Sequence, residues 1–256
     1  MKIIISPAKK MRQDDGLEWK TLPVFLGKTD EIMKTLKSMS YDELKKLWKC
    51  NDDIASLNVD RLSRMELNGN LTPAVLAYEG IQYQYMAPGV LDEKGLEYID
   101  RHLRIISGFY GVVRPFDGVT SYRLEMQAKL KMGKAKDLYS YWNNTICDEI
   151  CRDEDCIIDL ASKEYSVAVS KYLPEGVKMV SVVFGEEKDG KIIEKGTMCK
   201  MARGAMVRFM AENNITSPEG MKSFAQLDFA FDESRSDDSH YVFVKQPKKV
   251  TDKDEW

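Results

Sequence analysis

Two histidines, 102 and 240, and five cysteines with no CxxC pair give transition-metal and thiol–disulfide chemistry little to work with in 256 residues. Cys147 and Cys151 stand four apart on one helix face and Cys156 opens the next strand. Their reading is that of small core residues in a reducing compartment rather than a three-thiol site. No GxxxxGK[ST] loop occurs, and no GxGxxG follows a strand-like run, so the two commonest phosphate-cradling signatures are missing. No apolar run approaches the ~20 residues of a membrane span. The opening MKIIISPAKKM continues into lysines instead of a small-residue cleavage site, so it reads as an interior strand, Lys2 to Ser6, not as a leader. Excess positive charge is lacking too. At a net charge of −3, overall electrostatics give nucleic-acid binding no support.

Charge is present locally. Lys9-Lys10-Arg12, Lys129-Lys131-Lys134-Lys136, Lys200-Arg203-Arg208 and Lys245-Lys248-Lys249 are cationic clusters, each of which taken alone reads as a solvated face. The acidic run Asp232-Glu233-Asp237-Asp238-His240 offers oxygen ligands and an imidazole. It falls in a hairpin loop, where carboxylates are ordinarily solvated, and no metal and no cofactor are expected. The densest polar stretch is LRIISGFYGVVRPFDGVTSYRLEM, Leu103 to Met126. A strand-like apolar run there leads through Ser107-Gly108 into Arg114, Asp117, Tyr122, Arg123 and Glu125. Charges set so close to apolar structure must pair with one another or face a ligand, because a buried unpaired charge is too costly.

Thr29 to Lys37 and Tyr41 to Cys50 read as short amphipathic helices, the second opened by a Ser40/Glu43 capping box. Helical spacing resumes from Asp53 to Arg64. Two short helices joined by a tight turn, about 40–64, form a helix-hairpin-helix-like pattern without the usual hairpin glycine. Ala74 to Tyr78 reads as a short strand, Asp92 to His102 and Asp137 to Arg152 as helices, and Cys156 to Leu160 as a buried strand running into Ala161-Ser162-Lys163-Glu164-Tyr165. Lys188-Asp189-Gly190 is a hairpin signature between Met179–Gly185 and Lys191–Met198. A helix carrying Lys200 to Phe209 follows, then Phe229–Phe231 and Tyr241–Val244 as a hairpin across the acidic loop. With no repeat or linker and no regular strand–helix alternation, the chain reads as one α+β domain over residues 1–256, a mixed sheet surrounded by helices.

Several motifs in order resemble the YaaA peroxide stress response family: ISPAK at Ile5 to Lys9, the region Ile54 to Arg61, LRIISGFYGVVRPFD and SYRLEM, LASKEY at Leu160 to Tyr165, KMARG at Lys200 to Gly204, and the ending with Phe243. The resemblance implies a cytoplasmic bacterial protein that limits iron-dependent oxidative damage to DNA. It also implies a single compact domain with a helix-hairpin-helix element, and sequence-nonspecific binding of distorted or branched duplexes in a basic cleft. Carried onto this chain, the cleft candidates are Ser6, Lys9, Arg61, Arg114, Tyr122, Arg123, Lys200, Arg203 and Arg208. Arginine forks bind phosphate oxygens in pairs and lysines add point charge. Asp117 and Glu125 then orient the arginines. Asp52-Asp53 departs from the pattern, since two carboxylates at the hairpin repel a phosphate backbone.

A different class stays open: an enzyme acting on a small anionic substrate such as a nucleotide. Ser6 and Lys9 at a strand end offer a hydroxyl and an amine, and Ser–Lys pairs serve as nucleophile and base elsewhere. Sheet ends are common ligand sites.

Overall fold

The computed structural model describes residues 1–247. Its centre is the strand Lys2–Ile5, in which Ile3, Ile4 and Ile5 are all inaccessible to solvent. Consecutive buried residues point to opposite faces of a strand, so this one is covered on both sides, as the run of three isoleucines requires. It pairs in parallel with Leu103–Ser107 on one side and with Cys156–Leu160 on the other. Lys178–Lys188 then adds in parallel to Cys156–Leu160, and His240–Lys245 adds in parallel to Lys178–Lys188. Antiparallel strands close both edges, Gly111–Val113 against Leu103–Ser107 and Phe229–Phe231 against His240–Lys245. Numbered along the chain, the five parallel strands lie in the order 2-1-3-4-5.

Helices surround this mixed sheet, as expected for an α+β chain. Gly196–Glu212 packs on Ile81–Met86 and on Glu93–His102. Its Gly204 lies so close to the other helix that an added Cβ would stand 2.0 Å from the Gln82 carbonyl oxygen. Beneath the distal strands an aromatic cluster fills the core: Phe184 stacks on Phe243 at 5.2 Å and meets Phe224 and Phe229 edge-on.

The Ser40/Glu43 capping box forms as read. Asp189 and Gly190, both at positive φ, make the two-residue turn between Lys178–Lys188 and Lys191–Ile193. The helix beyond it starts at Gly196, so the second strand ends well short of Met198. Two further readings need correction. Ala74 to Tyr78 is not a strand: Ala74–Ala77 is one helical turn between the two-residue strands Thr72–Pro73 and Tyr78–Glu79. An apolar run this short carries no period to tell the two apart. The helix read over Asp137 to Arg152 is two, Leu138–Trp142 and Thr145–Cys151, broken where Asn143 takes φ 49.

The helix-hairpin-helix-like region consists of Tyr41–Trp48 and Asp52–Ser63, joined through Lys49 at φ 47. Asn51 caps the second helix by accepting the Ile54 amide proton. The carboxylate of Asp52 is held by Lys45 at 2.7 Å and by the Tyr41 hydroxyl at 2.9 Å. The amide-rich end of that helix is thus already occupied by side-chain oxygen and negative charge.

Candidate functional site

Three neighbouring parallel strands deliver serines near their carboxyl ends: Ser107 ends its strand, Ser6 follows Ile5, and Ser162 lies two residues past Leu160. Ser6 Oγ accepts the Ser162 amide proton at 2.8 Å and donates to Ser162 Oγ at 3.1 Å. The Tyr83 hydroxyl donates to the Ser6 carbonyl at 3.0 Å. Ser107 Oγ accepts the amide protons of Phe109 and Tyr110, which fills both of its lone pairs. Its own proton therefore goes to the Tyr122 hydroxyl, 2.6 Å away, which in turn contacts the Tyr78 hydroxyl at 2.8 Å. Burial pushes the Tyr122 phenol up to about 12, so this relay stays neutral.

Gly108 lets the segment after Tyr122 cross the strand ends. A Cβ there would meet the Leu124 carbonyl oxygen at 2.8 Å and the Met126 nitrogen at 3.0 Å. The crossing carries Arg123 and Glu125 past the end of the Ser107 strand. One oxygen of Glu125, Oε1, lies 3.2 Å from both Arg123 Nη2 and Lys9 Nζ. The arginine and glutamate side chains are 12% and 8% exposed, whereas the lysine is 64% exposed. The Arg123 Nε is buried and has no hydrogen-bond partner. A second carboxyl group, Glu164, accepts the Gln127 amide proton at 3.2 Å, and its backbone carbonyl accepts from Tyr139. Desolvation pushes the Glu164 carboxyl above its ordinary range; the Gln127 amide pulls the other way, while Glu125 adds to the rise. The site thus holds two cations, two carboxyls and two hydroxyls.

Deeper in the sheet, Asp159 accepts from the Ala161 amide and the Ser166 hydroxyl, and desolvation raises its pKa despite the nearby charge of Arg203. Arg203 reaches Glu194 at 3.5 Å, and its Nε is likewise buried without a partner.

Of the nine residues read from the sequence, Lys9 and Arg123 meet on Glu125, and Ser6 pairs with Ser162 at the neighbouring strand ends. Tyr122 lies directly beneath them at 6% exposure with its hydroxyl already engaged. Arg61 sits on the adjoining flank, donating to the Met11 carbonyl and lining a cavity of about 350 Å³ with Arg64, Asn70, Thr120 and Ser121. Arg114 is elsewhere, in a cavity of about 200 Å³ with Arg104, Asp117 and Glu149. Asp117 holds the backbone amide of Arg114 and the Thr21 hydroxyl. Lys200, Arg203 and Arg208 share the helix Gly196–Glu212, where Lys200 is exposed and Arg208 pairs with Glu212 at 2.7 Å. Five residues at about 100° each turn Arg208 well away from Arg203. Lys9 faces Glu125, and Ser6 faces Ser162, so these two do not form a Ser–Lys pair. Ser162 and Glu164 were not singled out by the sequence reading; the signal was the S-K-E run where a buried strand passes into a helix.

The remaining clusters are spent on local structure. Asp232 and Asp237 cap turns by accepting from Arg235 and from Ser239 and His240. Cys147 and Cys151 have their sulfurs 3.5 Å apart, and burial pushes the Cys147 thiol up to about 12. Lys248 and Lys249 lie outside the described residues. No helix among those residues is long and apolar enough to cross a membrane.

The model of the family described as peroxide stress protein YaaA matches residues 1–235. A UPF0246 protein of Lachnoclostridium phytofermentans is 50% identical over 254 residues, covering 99% of this chain and 100% of its own. UPF0246 proteins of Desulfitobacterium hafniense and Agathobacter rectalis are 52% and 53% identical, each across 96% of this chain and 98% and 99% of theirs.

Proposed function

The chain belongs to the YaaA peroxide stress protein family, and from that premise we propose that it acts in the cytoplasm by binding DNA without sequence specificity, shielding it from iron-dependent oxidation. The observation that carries this reading is the segment following the site. Lys129, Lys131, Lys134 and Lys136 are all exposed, while Ala128, Leu130 and Met132 between them are buried. That alternation pins the backbone and leaves the amines outward, and among the described residues none of the four joins a salt bridge. The Gln127–Glu164 bond anchors the start of the segment, two residues past the Glu125 that meets Lys9 and Arg123. With a net charge of −3, such a local patch is what attracts a polyanion, through phosphate contact and counterion release. The helix pair Tyr41–Ser63 contributes less, because Asp52 and Asp53 crowd its hairpin end.

The direct test is binding of a duplex carrying an unpaired bubble at low salt, with a fully paired duplex for comparison. Affinity that falls steeply with salt, and is stronger for the bubble, supports the reading. No binding at low salt overturns it.

A second reading, action on a small anion at Ser6, Lys9 and Arg123, is favoured by the strand order. In parallel sheets of order 2-1-3-4-5 ligands bind beyond the carboxyl ends of strands 1 and 3, which are here Lys2–Ile5 and Cys156–Leu160. A covalent route through Ser6 has no support, since its hydroxyl is engaged with Ser162 and not with a base.

A further inference from the structure

We propose that the sheet end at the Ser6–Ser162 pair, with the neighbouring Lys9 and Arg123, takes a phosphate monoester: the terminal phosphate of a mononucleotide or of a broken nucleic-acid strand. Two independent observations converge. The first is topological: Ser6 and Ser162 bond to each other across the point where the chain's strand connections reverse direction.

The second is a surplus of donors. Arg123 carries five N–H groups and Lys9 three. Among the described residues, their side chains share a single carboxylate oxygen, Glu125 Oε1. Among the described residues the buried Arg123 Nε–H has no acceptor. The Ser162 hydroxyl accepts from Ser6 and donates no hydrogen bond among the described residues. Donors of two cations that share one carboxylate oxygen are completed by a ligand rich in acceptor oxygens.

Charge and shape select among such ligands. A carboxylate brings one negative charge in a plane, and a phosphodiester brings one charge with two terminal oxygens. A monoester brings three terminal oxygens and nearly two charges at neutral pH. That matches an arginine fork, a mobile lysine and a hydroxyl approaching from different sides. Glu125 would have to yield its cations; the exposure of Lys9 makes its release easy, and Arg123 keeps Nε for the ligand while Nη2 stays near Glu125. Glu164, desolvated beside Glu125, holds its proton more readily than a free glutamate and so repels the anion less.

The site does not depend on duplex binding, and calorimetric titration of the full chain separates the two. The probes are 3′- and 5′-mononucleotides, the matching nucleosides, and short single strands ending in phosphate or in hydroxyl. Mononucleotides are expected to bind at least tenfold more tightly than nucleosides, and Lys9→Gln or Arg123→Gln should remove most of that difference. Lys9→Gln is the safeguard against misfolding, because that side chain is largely in solvent. Equal affinity for mononucleotides and phosphate-ended strands identifies the free nucleotide as the ligand. Tenfold preference for the phosphate-ended strand identifies the strand end. Indifference to the terminal phosphate, or unchanged binding in both variants, overturns the proposal. Replacing the four lysines from Lys129 to Lys136 with glutamine should weaken duplex binding while sparing the mononucleotide, so either reading can fail alone.

Discussion

Ser6 and Ser162, 156 positions apart, bond through both an amide and a hydroxyl, closing the carboxyl ends of two adjacent parallel strands. The amide N–H of Ser162 has Ser6 Oγ as its acceptor, at the mouth of the candidate site. Ser6→Ala strands that donor, which costs about 1–2 kcal/mol when water reaches it poorly. For a chain of this length the melting temperature should fall by about 2–8 °C. Thermal unfolding followed by circular dichroism checks it, and an unchanged midpoint would mean that water replaces the hydroxyl.

The shared oxygen of Glu125 makes a sharper demand. Glu125→Gln keeps the shape but leaves Arg123, only 12% exposed, without a counter-charge. Breaking fully buried pairs costs about 3–5 kcal/mol, and the residual exposure here brings the expected loss to about 2–3 kcal/mol. Arg123→Met combined with Glu125→Leu removes both charges and should recover most of that loss. Chemical denaturation of the two singles and the double variant closes the cycle; simple additivity would mean that the pair is not coupled.

At Gly204 two effects oppose each other. Alanine gains about 1 kcal/mol of helix propensity over glycine. Its Cβ would stand 2.0 Å from the Gln82 carbonyl oxygen and 2.9 Å from the Met86 nitrogen. Both are backbone atoms that cannot rotate away, so overpacking of about 1–3 kcal/mol or more prevails. Gly204→Ala should lower stability despite its better propensity, and a raised denaturation midpoint would refute this packing.

Much of this architecture is legible in the chain because it is local. Ser40 and Glu43 announce their helix three residues apart, and Asp189-Gly190 announces its turn within two. Asp92, read as the start of a helix, is its N-cap. The pairing of Phe229–Phe231 with the strand after the acidic loop follows from two apolar runs of similar length. The parallel order 2-1-3-4-5 is not legible, since it depends on pairing Lys2–Ile5 with a strand more than 150 positions away. Arg123, Glu125 and Lys9 could be named as charged, but their meeting on one oxygen depends on Gly108 admitting the Leu124–Met126 backbone. Arg114 illustrates the converse: nine positions from Arg123 in sequence, it lines a different cavity, with Arg104.

Asp159 should leave a signature in the pH dependence of stability. Its pKa is raised in the folded state, chiefly by desolvation, above the ordinary value of 3.8. The folded protein therefore binds this proton more readily than the unfolded chain does, and stability due to this group falls as pH rises from 3.8 through the folded pKa. Asp159→Asn removes the ionisation, so its stability should decline less than that of the parent as the pH is raised across that window. Parallel stability–pH curves for the two proteins would contradict the assignment.

The lysine segment yields a quantitative expectation. For B-form DNA the logarithm of affinity falls with the logarithm of salt at about 0.9 per phosphate neutralised. If Lys129, Lys131, Lys134 and Lys136 each meet one phosphate, replacing all four with glutamine should flatten the slope by about 3–4. Their exposure and lack of carboxylate partners among the described residues mean that the replacement disturbs no packed structure. Fluorescence anisotropy with a labelled bubble duplex across a salt series measures the slope directly. A variant whose slope matches the parent, with affinity unchanged, would remove this segment from the binding surface and leave Lys9, Arg61 and Arg123 as the cations to be tested next.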